Sequence, residues 1–438
     1  MKTYEYSKTD IDENNLYDSF DVCEDKDEFL DKLFRYLESL KLSKALKRGH
    51  KSIETQNYVG VIKYKKFQLD ILPKMLRYQN EENSDELKNV LKNLMFMLSY
   101  TKKLDIKTTN IRHVENSQNP FIEILILEYA NSLFNCLKRL TPKQYIREED
   151  NLNYMRGKLK FSENIRYNCS NQAKFYCEFD EFSENNLLNQ LFFYVTTCLY
   201  KISQDSKNKK LLKFISDYFC DIKFTHFDRY KAEKIKLSKN QELFKTPFNL
   251  AKMFVNHSSI DLSGNKLENI TILWDMNILF EEFICELIRK HTSYYPKYQK
   301  GKRLLIESES RKKYGGTFVD MYVEKDNKKI IIDTKYKLNS GENNDFENED
   351  IYQLMTYCLI HDSQNAVFIY PAKDAEQGIN KYYLNTEYTD KLKTYSEEEL
   401  RSDKEVKKIL SSRLDLKCDI KSEKDNIAKY IEEQLESL

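Results

Sequence analysis

The chain has 438 residues, which is enough for two or three domains at about 100–200 residues per domain. Its 71 Lys and Arg residues are balanced by 70 Asp and Glu residues. The overall charge therefore excludes a basic nucleic-acid coat protein and an acidic nucleic-acid mimic, and any contact with DNA must come from a local patch.

Several missing motifs narrow the class of protein further. The nine cysteines are scattered without a C-x-x-C pair, which argues against a disulfide framework or a zinc site and favours a reducing cytoplasm. The N-terminal residues MKTYEYSKTDIDENN lack the features of a signal peptide. No apolar run comes close to the length of about 18 residues that is needed to span a membrane. We therefore expect a cytoplasmic protein with no membrane partner. Because no G-x-x-x-x-G-K-[ST] loop is present, we expect this chain to bind no nucleotide and a partner to supply any nucleotide energy.

The first part of the chain combines strands and helices. Residues Tyr58 to Leu72 predict two strands that are joined near Lys65 and Lys66 and end at Pro73. Apolar residues then recur at helical spacing in residues 86–106 and 119–140. A polar segment, residues 141–168, interrupts this pattern and contains a short predicted strand at residues 157–161.

Helices continue through the middle of the chain. They are predicted at residues 185–222 and 246–255, where the aromatic stripe is interpreted as core. Residues 256–270 are rich in turn formers and form the best candidate boundary. A helix, two strands, a helix and the strand NAVFIYPA follow, and this α-β-β-α-β order is typical of an α/β domain. The last fifty residues are rich in Lys and Glu, and we expect them to be helical and to lie on the surface.

These segments predict a multidomain α+β protein. Residues 1–160 are interpreted as a β-containing N-terminal domain, residues 161–265 as a helical middle region, and residues 266–438 as a C-terminal α/β domain with a charged tail. No internal repeat is evident.

The stretch TFVDMYVEKDNKKIIIDTKYK, residues 317–337, carries the candidate site. Strand alternation places Phe318, Asp320 and Tyr322 on one face of its first strand, and Ile331, Asp333 and Lys335 on one face of its second. If the turn is KDNK, residues 325–328, then Glu324 opposes Lys329 and Asp320 opposes Asp333. Two carboxylates in such positions repel each other unless a cation lies between them.

A divalent cation would reverse this repulsion. Carboxylate oxygens of Asp320 and Asp333, the Thr334 carbonyl and water suit Mg²⁺ or Mn²⁺, and Lys335 can lower the pKa of a bound water or hold the attacked phosphate. The simpler interpretation is a hairpin with solvated acids on an exposed face. The three residues Ile330 to Ile332 favour the catalytic interpretation, because they indicate a strand that is buried on both faces.

Two helices flank this hairpin and add candidates. In WDMNILFEEFICELIRK, helical spacing places Glu281 on a largely inward face with Asn277, Ile284 and Ile288. Gln353 lies on the helix after the second strand, beyond the loop LNSGENNDFE, which looks mobile by composition. A lone glutamine is usually a surface residue, but from its position we expect a supporting role near the metal.

The quoted residues resemble the McrC subunit family of McrBC-type modification-dependent restriction systems, whose C-terminal half is a PD-(D/E)xK nuclease. The matching segments, in family order, are FQLDILPKML, LKNLMFMLSY, MRGKLKF, DMNILFEEF, FVDMYV, IIIDTKYK and DIYQLMTYC. One departure is Val319, which replaces the proline usual before the first aspartate. The residues beyond about Leu384 match nothing in the family.

The resemblance implies roles for these residues and for the chain. Asp320, Asp333 and Lys335 would be the nuclease triad, Glu281 the helix acid, and Gln353 the residue after the core strands. The C-terminal domain would be restriction-endonuclease-like, acting on double-stranded DNA with Mg²⁺ or Mn²⁺. The partner would be an AAA+ GTPase ring of the McrB type, which reads the modified base, and the N-terminal domain would dock into that ring and stimulate its GTP hydrolysis.

Two other functions remain open at this point. The chain could be a scaffold that activates a nucleotide-hydrolysing ring without cutting DNA, although an intact D…DxK set argues against this. It could also be a stand-alone repair nuclease that needs no partner. For the N-terminal hairpin with Lys63, Lys65, Lys66 and Lys74, the alternative to partner binding is a core element packed on the helices.

Overall fold

The fold was analysed in a computed structural model. It describes residues 1–10, 26–49, 52–65, 67–76, 84–101, 120–171, 173–256, 258–261, 266–306, 313–337, 346–372, 378–383 and 407–438. Most of the loop LNSGENNDFE and the lysine Lys66 lie outside the described residues. None of the described helices is both long and apolar enough to cross a bilayer.

The described residues contain seventeen strands and eleven helices. The strands are β1 (Lys2–Tyr4), β2 (Lys8–Asp10), β3 (Leu46–Arg48), β4 (Ser52–Thr55), β5 (Tyr58–Tyr64), β6 (Phe67–Leu72), β7 (Gln144–Leu152), β8 (Lys158–Leu159), β9 (Phe175–Ser183), β10 (Ser258–Asp261), β11 (Lys266–Asp275), β12 (Lys297–Ile306), β13 (Lys313–Lys325), β14 (Lys328–Thr334), β15 (Asn365–Pro371), β16 (Gly378–Tyr383) and β17 (Lys408–Leu414). The helices are α1 (Lys26–Ser39), α2 (Ser84–Tyr100), α3 (Pro120–Leu137), α4 (Phe161–Asn168), α5 (Leu187–Ile202), α6 (Ser206–Asp217), α7 (Arg229–Glu233), α8 (Lys245–Asn256), α9 (Met276–His291), α10 (Asn348–His361) and α11 (Ile420–Glu436).

The N-terminal hairpin is confirmed and lies inside a larger sheet. Strands β5 and β6 pair antiparallel, with Tyr64 opposite Phe67 and Lys65 in the turn at φ 54°. The sheet has the strand order β1-β6-β5-β11-β10. Its strand β11 lies in the part of the sequence that we assigned to the C-terminal domain, yet it pairs with β5 over seven residues.

A second sheet crosses the other predicted boundary. Its strand order is β7-β9-β8, so strands on both sides of residue 160 pair with one another. The short predicted strand corresponds to β8, whereas β7 and β9 were not predicted. Strand β7 is exposed or half-buried along its length and therefore carries no alternating apolar pattern from which it could be predicted. The three-part division of the chain stays a prediction, and strand pairing connects all three parts.

The helical part of the chain packs as a core, as the aromatic stripe predicted. Helices α2, α3, α5, α6 and α8 contribute to one hydrophobic cluster, which also includes α9 and one face of the C-terminal sheet. Tyr129 is fully buried there, and its hydroxyl lies 3.1 Å from the Phe192 carbonyl oxygen and 3.1 Å from the Thr196 hydroxyl. The ring therefore packs in the core without leaving its polar atom unpaired.

The C-terminal sheet positions the candidate site. Its strand order is β12-β13-β14-β15-β17-β16, with β14, β15 and β17 parallel and the outer strands antiparallel. The predicted α-β-β-α-β order is confirmed for α9, β13, β14, α10 and β15, and β12 is an additional strand that we did not predict.

The charged C-terminal tail is not a surface element throughout, and this expectation was wrong. Strand β17 lies between β15 and β16 within the sheet. Helix α11 buries Ile427, Ile431 and Leu435, which recur every four residues and form one apolar face against α9 and α2. The many Lys and Glu residues on the other face hid this pattern in the overall composition.

Candidate functional site

The site lies where strands β13 and β14 separate. The turn between them has Asp326 at φ 51° and Asn327 at φ 62°, a two-residue turn with both central residues left-handed that suits a hairpin. Glu324 pairs with Lys329 and Met321 with Ile332, so the predicted register is confirmed. Asp320 and Asp333 occupy the next positions, at the end of this ladder.

Where the ladder ends, the Asp320 side chain connects the two strands. The Thr334 backbone N–H and hydroxyl donate to Asp320 Oδ2 at 2.8 and 3.0 Å. A carboxylate therefore accepts the bond that a β13 carbonyl would otherwise accept, which fixes Asp320 beside Thr334. Burial raises the pKa of Asp320, and the two bonds from Thr334 oppose this shift.

The predicted alternation of β13 is interrupted at Asp320. Val319 and Tyr322 pack in the same hydrophobic cluster, although they are three residues apart. Phe318, which we expected to share a face with Tyr322, is instead 63% exposed. The neighbouring strand is irregular at the same place, where Gln299 stands across from Asp320 in the left-handed region at φ 46°.

Strand β14 is buried on both faces, as predicted. Ile330 and Ile332 face one hydrophobic cluster and Ile331 faces the other. Asp333 follows them and is 1% exposed. Burial and the neighbouring charge of Asp320 raise its pKa to about 7, and Lys335 opposes the shift. This carboxyl group is therefore buried at a cost that the protein alone only partly offsets.

Lys335 lies at the centre of the charged cluster. Its Nζ is 3.0 Å from Asp333 Oδ2, so the predicted convergence of these two side chains is confirmed. The same ammonium donates to Gln353 Oε1 at 2.8 Å, and Gln353 Nε2 donates to the Tyr357 hydroxyl at 2.8 Å. Burial tends to lower the pKa of Lys335, but Asp333, Asp320 and Asp350 together outweigh it and the pKa is raised.

Glu281 reaches the site from helix α9. Gln299 Nε2 donates to Glu281 Oε1 at 3.3 Å. Burial and the charge of Asp320 raise the pKa of Glu281 to about 7. Ile284 and Ile288 are buried on the same helix as predicted, whereas Asn277, which we expected with them, is exposed in the first turn.

Two residues of the site were missed in the sequence. Asp350 is buried on α10, with Oδ1 3.8 Å from Lys335 Nζ and Oδ2 3.1 Å from Lys337 Nζ. It precedes Gln353 by three positions, so helical spacing could have indicated it. Gln299 could not have been found in this way, because its strand β12 was not predicted.

The arrangement fits a divalent cation that oxygen atoms bind. Among the described residues, no three His, Cys, Asp or Glu side chains are close enough to hold a metal by themselves. Asp320 and Asp333 are adjacent, however, and the buried Asp333 Oδ1 has no hydrogen-bond partner within the described structure. An unpaired, buried carboxylate oxygen beside a second carboxylate suits Mg²⁺ or Mn²⁺ completed by backbone oxygen and water.

The fold and the site together define a mixed α/β protein with a cluster of carboxylates and one lysine at the end of two inner strands. A family model described as "McrBC 5-methylcytosine restriction system component" matches residues 53–371. The chain therefore belongs to the McrBC family, and the resemblance predicted from its motifs is confirmed.

One solved structure shows the same fold over nearly the whole chain. One chain from "Refined half-complex from tetradecameric assembly of Thermococcus gammatolerans McrB AAA+ hexamers with bound McrC" has a TM-score of 0.70 at 19% identity, over 99% of this chain and 99% of that chain. A chain from "Cryo-EM structure of the Thermococcus gammatolerans McrBC complex" has a TM-score of 0.49 at 23% identity, over 66% of this chain and 87% of that chain. A search of curated proteins found no match.

Proposed function

We propose that this chain is the DNA endonuclease subunit of an McrBC-like, GTP-dependent restriction system. Its substrate would be the phosphodiester backbone of modified, methylcytosine-containing foreign DNA. The observation that carries the proposal is the Lys335–Asp333 pair at 3.0 Å beside Asp320, on a strand that is buried on both faces. Burial of charged groups in such a position costs folding free energy, so such groups are often functional. This set of groups is the one expected of a PD-(D/E)xK nuclease.

The carboxylates would hold the metal. Asp320 and Asp333, with the Thr334 carbonyl, are the proposed ligands of Mg²⁺ or Mn²⁺, and Glu281 would assist at the metal without forming a three-carboxylate group with them. When bound, the cation supplies positive charge that offsets the carboxylates and polarises water and phosphate oxygen. The two hydrogen bonds from Thr334 orient Asp320 for this role.

Lys335 would act through its charge. Because the attraction of Asp333 raises its pKa, Lys335 stays protonated at neutral pH and is a poor general base. Its ammonium is held by Asp333 and Gln353, and Asp350 adds negative charge on the far side. A fixed cation beside the attacked phosphate stabilises the negative charge that develops there, and its fixed position avoids reorganisation during the reaction.

The partner is proposed from the fold neighbour and from the sequence. The matched structure contains McrB AAA+ hexamers with bound McrC. This chain lacks a phosphate-binding loop motif, so a GTPase partner would supply the nucleotide energy. We infer that the chain docks on an McrB-like AAA+ GTPase ring through its N-terminal part and stimulates GTP hydrolysis.

A plasmid cleavage assay with and without the candidate GTPase tests the proposal. We expect methylated plasmid to be cut by the wild-type chain with the GTPase, GTP and Mg²⁺ or Mn²⁺, with no cutting in EDTA. Ca²⁺ should support binding without turnover, because it polarises water less strongly. The Asp333→Ala variant should be inactive, whereas Asp362→Asn, a matched change of a surface carboxylate paired with Lys329, should cut normally.

The other outcomes separate the alternatives. Normal cutting by Asp333→Ala would contradict the assigned site. Cutting that needs no GTPase would favour a stand-alone nuclease. Stimulation of the GTPase without cutting under any metal condition would favour the scaffold function.

A further inference from the structure

Strand β12 carries an unusual run of positive charge. Lys297, Lys300, Lys302 and Arg303 lie within seven residues of one edge strand. Within the described part of the chain, no carboxylate lies within ion-pair distance of any of the four. Since the whole chain has nearly equal numbers of acidic and basic residues, an unpaired cluster of this kind is a local feature.

The cations on this strand crowd one another. Burial lowers the pKa of Lys300, the charges of Lys297 and Lys302 lower it further, and the charge of Glu324 only partly opposes this shift. Burial lowers the pKa of His361 to about 4, and Lys302 and Lys300 add to that shift.

The nearby acids do not neutralise the cluster. Asp362 is paired with Lys329 at 2.7 Å, and Glu324 accepts a hydrogen bond from the Tyr322 hydroxyl at 3.3 Å. A bound polyanion would therefore offset a repulsion that the protein leaves in place.

The strand begins at the candidate site and leads away from it. Gln299 lies across from Asp320 and donates to Glu281, so the backbone of β12 passes the carboxylates at this residue, and the Lys300 side chain that follows lies over the Tyr322 ring. At about 3.3 Å per residue, Lys300 to Arg303 span roughly 10 Å. This length covers about three charges of one DNA strand at ~3.4 Å each along the helix axis.

Local contacts hold these side chains along the strand. The Lys300 ammonium lies 3.3 Å from the Tyr322 ring centroid, and Lys302 Nζ donates to the Ile360 carbonyl at 2.9 Å. The exposed ring of Phe318 lies across Gly301, where a Cβ would come within 2.7 Å of the ring. A glycine at this position therefore leaves room for the Phe318 ring, which lies on the same face of the strand as Arg303.

We propose that β12 is the strip that binds the DNA backbone next to the cleavage site, with Lys300 and Lys302 contacting phosphates from one face of the strand and Arg303 from the other. The inference rests on the proposed nuclease function and adds the surface that holds the substrate. Phosphate contacts position DNA without reading its sequence, so this strip binds modified and unmodified DNA alike.

The competing explanation is protection of the sheet edge. Lysines on edge strands prevent edge-to-edge pairing between molecules and need no ligand. The opposite edge strand of the same sheet, β16, carries the exposed Lys381 and provides a matched control. Under the competing explanation, changes on either edge promote aggregation and neither changes DNA binding.

The test is DNA binding by the full-length chain as a function of salt. Wild type and four variants are titrated into a labelled 30-base-pair duplex in Ca²⁺ between 50 and 200 mM salt. The variants are Lys302→Gln, Arg303→Gln, the triple variant that combines these two changes with Lys300→Gln, and Lys381→Gln. Each lost phosphate contact should reduce the slope of log K against log salt by about 0.9, and equally for methylated and unmethylated duplex. Lys381→Gln should bind like wild type.

The outcomes are distinct from those of the cleavage assay. Wild-type affinity and slope in the triple variant would overturn the inference, as would an equal loss in Lys381→Gln or the absence of salt-dependent binding by wild type. If the triple variant fails to fold, Lys302→Gln and Arg303→Gln decide, because both side chains are exposed. If wild type cuts DNA and the β12 variants bind DNA normally, only this inference is contradicted. If DNA binding depends on salt and on β12 but no cutting occurs, only the nuclease function is contradicted.

Discussion

The Lys74 ammonium donates a hydrogen bond to the backbone carbonyl of Tyr336 and lies 4.3 Å from the centroid of its ring. Lys74 follows the N-terminal hairpin, and Tyr336 follows Lys335 directly. The Tyr336 ring also packs against Phe280, the residue before Glu281, with 5.6 Å between ring centroids. The N-terminal sheet therefore contacts the chain segments beside two site residues.

This contact gives Lys74 a positioning role. We expect Lys74→Met to lower DNA cleavage roughly tenfold or more, because small displacements of reacting groups slow catalysis strongly. Stimulation of the GTPase should be unchanged, since Lys74 is bound to Tyr336 and is not available to the partner. Lys47→Met, a change of an exposed lysine on β3, serves as the control. Parallel cleavage and GTPase assays measure both effects, and equal loss of both activities would contradict the role.

Removal of a member of the charged cluster should separate the two activities. Asp320→Ala, Asp333→Ala and Lys335→Ala should each reduce cleavage by roughly a thousandfold or more, because each removes a metal ligand or the fixed cation. GTPase stimulation should persist. Asp333→Ala should not lower the melting temperature, since it removes a buried carboxyl group whose pKa is already raised. A large loss of thermal stability in this variant would show that the carboxylate is structural.

The buried Glu5 should make stability depend on pH. Burial raises its pKa from 4.5 to about 7, and its Oε2 accepts a hydrogen bond from the Lys74 backbone N–H at 3.0 Å. The folded state thus holds a proton that the unfolded chain releases. The contribution of Glu5 to the free energy of unfolding is greatest below about pH 4.5 and falls by on the order of 3 kcal/mol as the pH rises through about 7.

Denaturant unfolding at several pH values measures this effect. Glu5→Gln should resemble wild type at pH 4.5 and become more stable than wild type at pH 8, because the amide cannot ionise. The exposed Glu54→Gln should show no such trend. A constant difference between Glu5→Gln and wild type across this range would argue against a neutral, buried Glu5.

Strand pairing predicts how fragments of the chain behave. In the full chain, β5 pairs with β11 along its whole length, from Tyr58 opposite Asp275 to Tyr64 opposite Asn269. A fragment of residues 1–160 lacks β11 and β9, so it leaves the edge of the apolar strand β5, and that of β7, unpaired. We expect this fragment to aggregate and to fail to stimulate the GTPase, despite containing the hairpin. A monomeric, cooperatively folded fragment, seen by circular dichroism and light scattering, would restore residues 1–160 as an independent domain.

The sequence alone determined the centre of the candidate site. A two-residue turn fixes the pairing of Glu324 with Lys329, and the period of two in a strand places Asp333 and Lys335 on one face. These are short-range constraints, which is why Asp320, Asp333 and Lys335 were found together. Helical spacing identified Glu281 for the same reason.

Only the tertiary structure decided the surroundings of that centre. Gln299 reaches Glu281 because β12 pairs with β13, and β17 enters the sheet beside β15 although about forty residues separate them in sequence. Such pairings depend on which backbone edges meet after folding, and a strand with exposed or charged side chains carries little local signal of its partner. The contact of Lys74 with Tyr336 joins residues 262 positions apart, and no periodicity in either segment specifies it, because it arises from the packing of one sheet against another.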